Sequence, residues 1–220
     1  MIFSIEGNIG SGKSTFCKYL KEYFSKYYNE AWNSKVIFVD EPVDVWESIK
    51  DADGNLLEHF YKSPEKYSYC FQMTAYISRL VNLKNAIKKA NRNDTIIIER
   101  SVFSDYNVFA KMLYKSGKIN EIEFQCYKMW FDHFLEDLPN FFFIYLKTDF
   151  KNCHTRVLKR SRVGESPITE DYLQMCEIYH EDWLTGEDCK IVFDGNGDIN
   201  SYSRCSDIIK LIGVCIQDNE

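Results

Sequence analysis

Residues Gly7-Asn8-Ile9-Gly10-Ser11-Gly12-Lys13-Ser14 fit the pattern G-x-x-x-x-G-K-[ST], with Thr15 directly after. Glycines let such a loop curl until backbone N–H groups converge on phosphate oxygens at a helix start. The lysine supplies a charge for the β- and γ-phosphates, and the terminal hydroxyl is a ligand for Mg2+. A run fit for a buried strand precedes the loop and an amphipathic helical pattern follows it, which is the context this chemistry needs. Segment 7–15 is therefore expected to hold a nucleoside triphosphate.

Two acids stand where chemistry could be done on that nucleotide. Glu41-Pro42-Val43 follows the apolar run Val36–Val39 and Asp40, and Glu99-Arg100-Ser101 follows Thr95–Ile98. Open α/β sheets bind ligands at the carboxyl ends of their strands. Either acid alone suits a helix cap equally well, but two facing one phosphate loop favour catalysis. An attacking hydroxyl must lose a proton, so one acid can serve as general base while the other holds hydrated Mg2+. A GTPase would need an Asn-Lys-x-Asp guanine reader, and the sequence has none. Asp51-Ala52-Asp53-Gly54 matches D-x-x-G but follows a polar stretch, so it reads as a turn. Neither this stretch nor Asp194–Asp198 has the sixth-position glycine of a calcium loop.

The elements that must position these residues alternate along the chain. Ile2–Ile5, Val36–Val39, Thr95–Ile98, Phe141–Leu146 and Lys190–Phe193 are continuous apolar runs, as parallel strands buried on both faces require. Helical patterns lie between and after them, over 14–28, 64–90, 103–114, 119–138, 150–159, 168–183 and 201–212. In the first, Phe16, Leu20, Tyr23, Phe24 and Tyr27 form one apolar face. This rhythm implies a P-loop-type α/β fold: a five-stranded parallel sheet with helices on both faces, in one domain over residues 1–220.

Composition bounds the rest. At 220 residues and 45% hydrophobic the chain can bury a full core, and its net charge of −6 argues against a nucleic-acid or anionic-membrane binder. The longest apolar run, Phe141–Leu146, is too short to span a bilayer, and no leader is visible at Met1, so a cytoplasmic protein is expected. Eight scattered cysteines without a C-x-x-C pair read as free thiols. His59, His133, His154 and His180 show no metal spacing and read as structural or surface residues.

Glu6–Thr15, Glu41-Pro42-Val43, Phe71-Gln72, Glu99-Arg100-Ser101, Arg160-Ser161-Arg162 and His180-Glu181-Asp182-Trp183-Leu184 occur together in one order. In this the chain resembles the deoxycytidine/deoxyguanosine kinase family of deoxynucleoside kinases, over about residues 2–185 and more loosely beyond. The resemblance implies ATP-dependent phosphorylation of the 5′-hydroxyl of a 2′-deoxynucleoside. It makes Glu41 the base, Arg100 the bridge between the 5′ oxygen and the transferring group, and Ser14 with Glu99 the Mg2+ site. It makes Arg156, Arg160 and Arg162 phosphate clamps in a small lid over about 156–168. Glu165 and Tyr61 would meet the sugar 3′-hydroxyl, Gln72 the edge of the base, and Trp46, Phe71 and Phe109 its faces. Where relatives often carry two adjacent acids in the lid, this chain has Gly164-Glu165. Arg79 and Asp105 match the pair found in deoxycytidine and deoxyguanosine kinases. A fixed carboxylate there accepts from an exocyclic amine and repels the O4 of thymine, so deoxycytidine and purine deoxynucleosides are expected over thymidine. Asp198-Ile199 falls where relatives cradle the donor base. Family members usually pair through two helices, so a homodimer is expected, with the aromatic-rich 119–138 segment as a candidate face. A monophosphate kinase of the thymidylate type, or an inactive nucleotide-binding subunit, is the rival reading; the first would need an extra basic clamp for the acceptor's own phosphate.

Overall fold

Strand β1 (Ile2–Glu6) is buried at all five positions, as befits a mostly apolar strand covered on both sides, and its polar Ser4 and Glu6 are buried with the rest. In the computed structural model, which describes residues 1–27, 35–162, 165, 167–188, 190–197, 209, 210 and 212, it is the central strand of a wholly parallel sheet. The other strands are β2 (Val36–Val39), β3 (Thr95–Glu99), β4 (Phe141–Lys147) and β5 (Lys190–Asp194), in the order β2-β3-β1-β4-β5. All five match the expected runs. Register decides what meets at the carboxyl edge. Ile5 pairs with Glu99 and Val39 with Ile98, so the loop after β1, the acid ending β3 and the acid two residues beyond β2 emerge together.

Helices cover both faces. On one, Phe16, Leu20 and Phe24 of α1 (Lys13–Tyr27) pack on Phe3, Ile5, Ile97, Ile144 and Leu146. On the other, Leu83 and Ala86 of α4 (Pro64–Lys89), and Leu184 near the end of the later helix Glu170–Thr185, cover Ile2, Ile96, Ile98, Phe141 and Phe143. Each large apolar side chain so buried contributes about 1.5–3 kcal/mol. Residues 209, 210 and 212 are helical, with Ile209 and Ile212 in the first core; the rest of the expected 201–212 helix lies outside the described residues.

Two features depart from expectation. Short helices α2 (Val43–Ser48) and α3 (Leu56–Lys62) stand between β2 and α4, the latter started by a reciprocal cap between Asn55 and Glu58. The expected single helix over 103–114 is divided into α5 (Val102–Ser104), a π-helical segment Asp105–Ala110 and α6 (Lys111–Lys115). Beyond them lie α7 (Glu121–Leu135), α8 (Phe150–Arg160) and α9 (Glu170–Thr185). Helix α8 stops at Ser161, whose φ of 47° is left-handed.

Candidate active site

The loop between β1 and α1 is built around contacts no side chain would allow. Gly10 has a φ of +78°, and a Cβ there would lie 2.5 Å from the Cys153 carbonyl oxygen and 2.9 Å from Val157 Cγ2 on α8. The loop is thus pressed against the helix carrying Arg156 and Arg160, two of the three arginines of the expected lid. Asn8 ties it down further, its amide donating to the Leu173 carbonyl on α9 at 2.8 Å. Lys13 is buried and curls back, Nζ donating to the Gly7 and Asn8 carbonyls at 3.1 and 2.8 Å. Burial, aided by the nearby Arg100 cation, lowers its ammonium to about 8 against the pull of Glu41 and Glu99.

A cavity of about 380 Å³ opens above this loop. Burial by itself would raise the Glu41 carboxyl, but Arg79, Arg100 and Lys13 outweigh it and hold it near 2. Arg79 Nη2 stands 3.2 Å and Arg100 Nε 3.5 Å from Glu41 Oε1. Glu99 moves the other way, raised first by burial and then by the charge on Glu41. Its Oε1 accepts from the Ser14 hydroxyl at 2.7 Å. The two acids expected to differ in role therefore differ in electrostatic setting.

Arg79 is a three-way joint. Besides Glu41 it donates from Nε to Asp105 Oδ2 at 2.9 Å and from Nη1 to the Glu99 carbonyl at 3.2 Å. Arg100 is buried at a left-handed φ of 65°; its Nη2 donates to the Gly7 carbonyl at 2.9 Å and its guanidinium lies 4.8 Å from the Phe109 ring centre. Its Nη1 stands 3.3 Å from His180 Nε2. His180 Nδ1 is 2.6 Å from the Cys176 carbonyl and must donate to it, and burial holds the ring neutral, so Nε2 accepts from Arg100. The reading of His180 as merely structural thus understated it. It belongs to the shell around Arg100, to which only the fold brings it.

The far end of the cavity is aromatic and has one orphaned polar atom. Phe71 stacks on Phe60 at 4.5 Å and meets Trp46 edge-on at 5.4 Å, while Trp46 Nε1 donates to Ser78 Oγ at 3.0 Å. Gln72 is buried on α4, and among the described residues its Oε1 has no hydrogen-bond partner. An amide in that state wants a ligand. Opposite, Glu165 is buried and takes Arg160 in a two-pronged pair at 2.7 and 2.5 Å, with Arg162 at 3.4 Å. Arg156 instead donates to the carbonyls of Ser11 at 2.9 Å and Gly195 at 2.8 Å, joining the phosphate loop to the turn after β5.

All ten residues nominated for the acceptor line this cavity: Glu41, Trp46, Tyr61, Phe71, Gln72, Arg79, Arg100, Asp105, Phe109 and Glu165. So do Ile9, Gly10, Gly12, Lys13, Ser14, Thr15, Glu99, Arg156, Arg160 and Arg162; Gly7, Asn8 and Ser11, also expected to hold phosphate, are buried and do not line it. Leu57, Phe60 and Tyr172 line it too and were not foreseen. Gly164 and Asp198-Ile199 lie outside the described residues. None of the described helices is long and apolar enough to cross a membrane.

Comparison with known proteins identifies the family. The family model described as deoxynucleoside kinase matches residues 3–216. Deoxycytidine kinase 1 of Xenopus laevis is 38% identical over 202 residues, covering 82% of this chain and 72% of the relative. A probable deoxycytidine kinase of fowlpox virus is 36% identical over 219 residues, covering 95% and 85%. The mitochondrial deoxyguanosine kinase of Xenopus laevis is 30% identical over 210 residues, covering 87% and 76%.

Proposed function

The chain belongs to the deoxynucleoside kinase family, and from that premise we propose that it transfers the γ-phosphoryl group of ATP to the 5′-hydroxyl of a 2′-deoxynucleoside. Deoxycytidine and the purine deoxynucleosides are preferred to thymidine. The observation that carries this reading is the span of one cavity. It runs from the lysine and hydroxyl of a phosphate loop, past an ionised Glu41, to the buried Gln72 amide with no partner among the described residues.

Glu41 accepts the 5′-hydroxyl proton. Three cations keep its carboxylate charged throughout the neutral range, at some cost in basicity. A loose phosphoryl transition state asks little of the base, so alignment and charge supply most of the acceleration. Arg100 faces both Glu41 and the loop and stabilises charge on the transferring group. Lys13 exchanges the two loop carbonyls for phosphate oxygens, while Arg160 and Arg162 bring positive charge from the lid.

Ser14 and Glu99 fit Mg2+. Both offer hard oxygens, and no group of three or more His, Cys, Asp or Glu side chains suited to a metal occurs among the described residues. That suits an ion that takes one or two protein ligands and completes its shell with phosphate and water. The ion would neutralise charge on the phosphates.

At the other end, Gln72 pairs with the base edge between Trp46, Phe71 and Phe109, and Asp105, fixed by Arg79, accepts from an amine such as cytosine N4 or adenine N6. A site built to hold that amine can reject its oxygen counterpart by up to about 10⁴-fold. Glu165 and Tyr61 meet the 3′-hydroxyl. A homodimer is supported by exposed apolar side chains on two helices in contact: Ile77 and Val81 on α4, and Met129 and Trp130 on α7. Tyr127 and Phe131, by contrast, face inward and belong to the core.

The test is a panel of the four common deoxynucleosides and their 5′-monophosphates with ATP and Mg2+. Phosphate should pass to deoxycytidine or the purine nucleosides well ahead of thymidine. Efficient transfer to a monophosphate would overturn the reading in favour of the rival kinase class.

A further inference from the structure

Glu6 ends β1 fully buried, yet it takes no part in the interactions described above. Its Oε1 accepts from Ser4 Oγ at 2.6 Å, from the Ser101 amide at 2.9 Å and from Ser101 Oγ at 2.5 Å. Its Oε2 has no partner among the described residues. A half-partnered carboxylate in the middle of a sheet is costly, and an apolar residue would serve packing better. Packing alone does not account for it.

The turn it holds does. Arg100 sits at a φ of 65°, a conformation a branched or bulky L-residue adopts only when its surroundings impose it. Three successive residues of β1 and its loop impose it here. The Ile5 carbonyl takes the Arg100 amide at 3.0 Å, Glu6 takes both donors of Ser101, and the Gly7 carbonyl takes Arg100 Nη2 at 2.9 Å. Ser101 is the N-cap of α5 yet makes no side-chain cap of its own; Glu6 stands at that helix start instead. The same helical run continues into Asp105 and Phe109, both of which line the cavity.

We propose that Glu6 is a positioning residue for phosphoryl transfer: by bonding Ser101 it locks the left-handed turn that points the Arg100 guanidinium between the phosphate loop and Glu41. The inference rests on the role given above to Arg100. It acts through reach rather than charge, since the bonds from Ser101 need an acceptor oxygen in one place.

Two variants separate these. Glu6→Gln keeps the length and the acceptor but removes the charge; Glu6→Asp keeps the charge but draws the acceptor back by about 1.5 Å, one carbon–carbon bond. Glu6→Gln should retain kcat within about threefold. Glu6→Asp should lose kcat by about a hundredfold, the usual effect of misplacing a catalytic group by an ångström, with KM for the nucleoside little changed. Arg100→Ala is the control. If it stays active, the reading of the site has failed; if it is inactive while folded Glu6→Asp keeps full kcat, the positioning role has failed. Equal losses in Gln and Asp variants would also overturn it, by assigning the effect to charge. Should Glu6→Asp not fold, Ser101→Ala, which deletes one of the two donors, is read instead: kcat about fivefold lower supports the lock, and unchanged kcat refutes it.

Discussion

Asp105→Ala probes the joint between base recognition and catalysis. Asp105 and Arg79 are 2% and 5% exposed, so the substitution strands a guanidinium nitrogen in the interior. Breaking a buried pair from one side costs about 3–5 kcal/mol. Glu41 and the Glu99 carbonyl still take Nη2 and Nη1, so only Nε loses its partner and the lower figure, about 3 kcal/mol, applies. For a chain of this size that lowers Tm by about 6–12 °C. Adding Arg79→Met removes the stranded cation but also takes a partner from Glu41 and from the Glu99 carbonyl, so the double variant should recover little of the loss. The double variant also removes the carboxylate that repels thymine O4, so the thymidine-to-deoxycytidine ratio of kcat/KM should rise. Thermal unfolding read beside the two nucleoside assays checks both. If Asp105→Ala melts within about 1 °C of the parent, the pair is not the buried joint described here.

Further outcomes follow from the same geometry. Lys13 is charged below about pH 8 and neutral above it, so kcat/KM for ATP should fall on the alkaline side of that value. Glu41, held near 2, should impose no acid limb above pH 4, whereas Glu99, raised by burial and by the charge on Glu41, should impose one above the ordinary carboxyl value; direct titration of the Glu41 carboxyl near 4.5 would contradict its pairing with Arg79 and Arg100. Folding linkage has the same sign: Glu41 contributes stability above its unfolded value, about 3 kcal/mol at most, lost as pH falls from 4.5 towards 2. Gly10→Ala should weaken ATP binding and cost about 1–3 kcal/mol, visible in Tm and in ATP titration, because its Cβ meets a backbone oxygen at a left-handed φ. Sedimentation should give a dimer, and Ile77→Lys with Trp130→Glu should give a monomer; a parent that runs as a monomer removes these exposed side chains as an interface.

Local signals were legible and distributed ones were not. The strands could be read because burial on both faces favours short runs dominated by apolar residues, and the loop at 7–14 because phosphate binding needs its glycines, lysine and hydroxyl in one short run. Glu41 and Glu99 followed from where those strands end. Helices α2 and α3, of six and seven residues, are too short to show a period, so Leu57 and Phe60 went unnoticed although α3 carries them to the cavity. The π-helical stretch at 105–110 has no sequence mark, and neither does the left-handed turn at Arg100, which long-range bonds from β1 impose. His180 and Tyr172 come from α9, far along the chain, and only the fold brings them to Arg100 and the cavity.

The central claim is that Glu41 takes the proton from the attacking alcohol. Steady-state kinetics and nucleoside titration of Glu41→Gln, on protein shown to be folded, address it most directly. The account predicts kcat lower by about 10²–10⁴-fold, with nucleoside Kd within about threefold of the parent. A variant that turns over at the parental rate would contradict it.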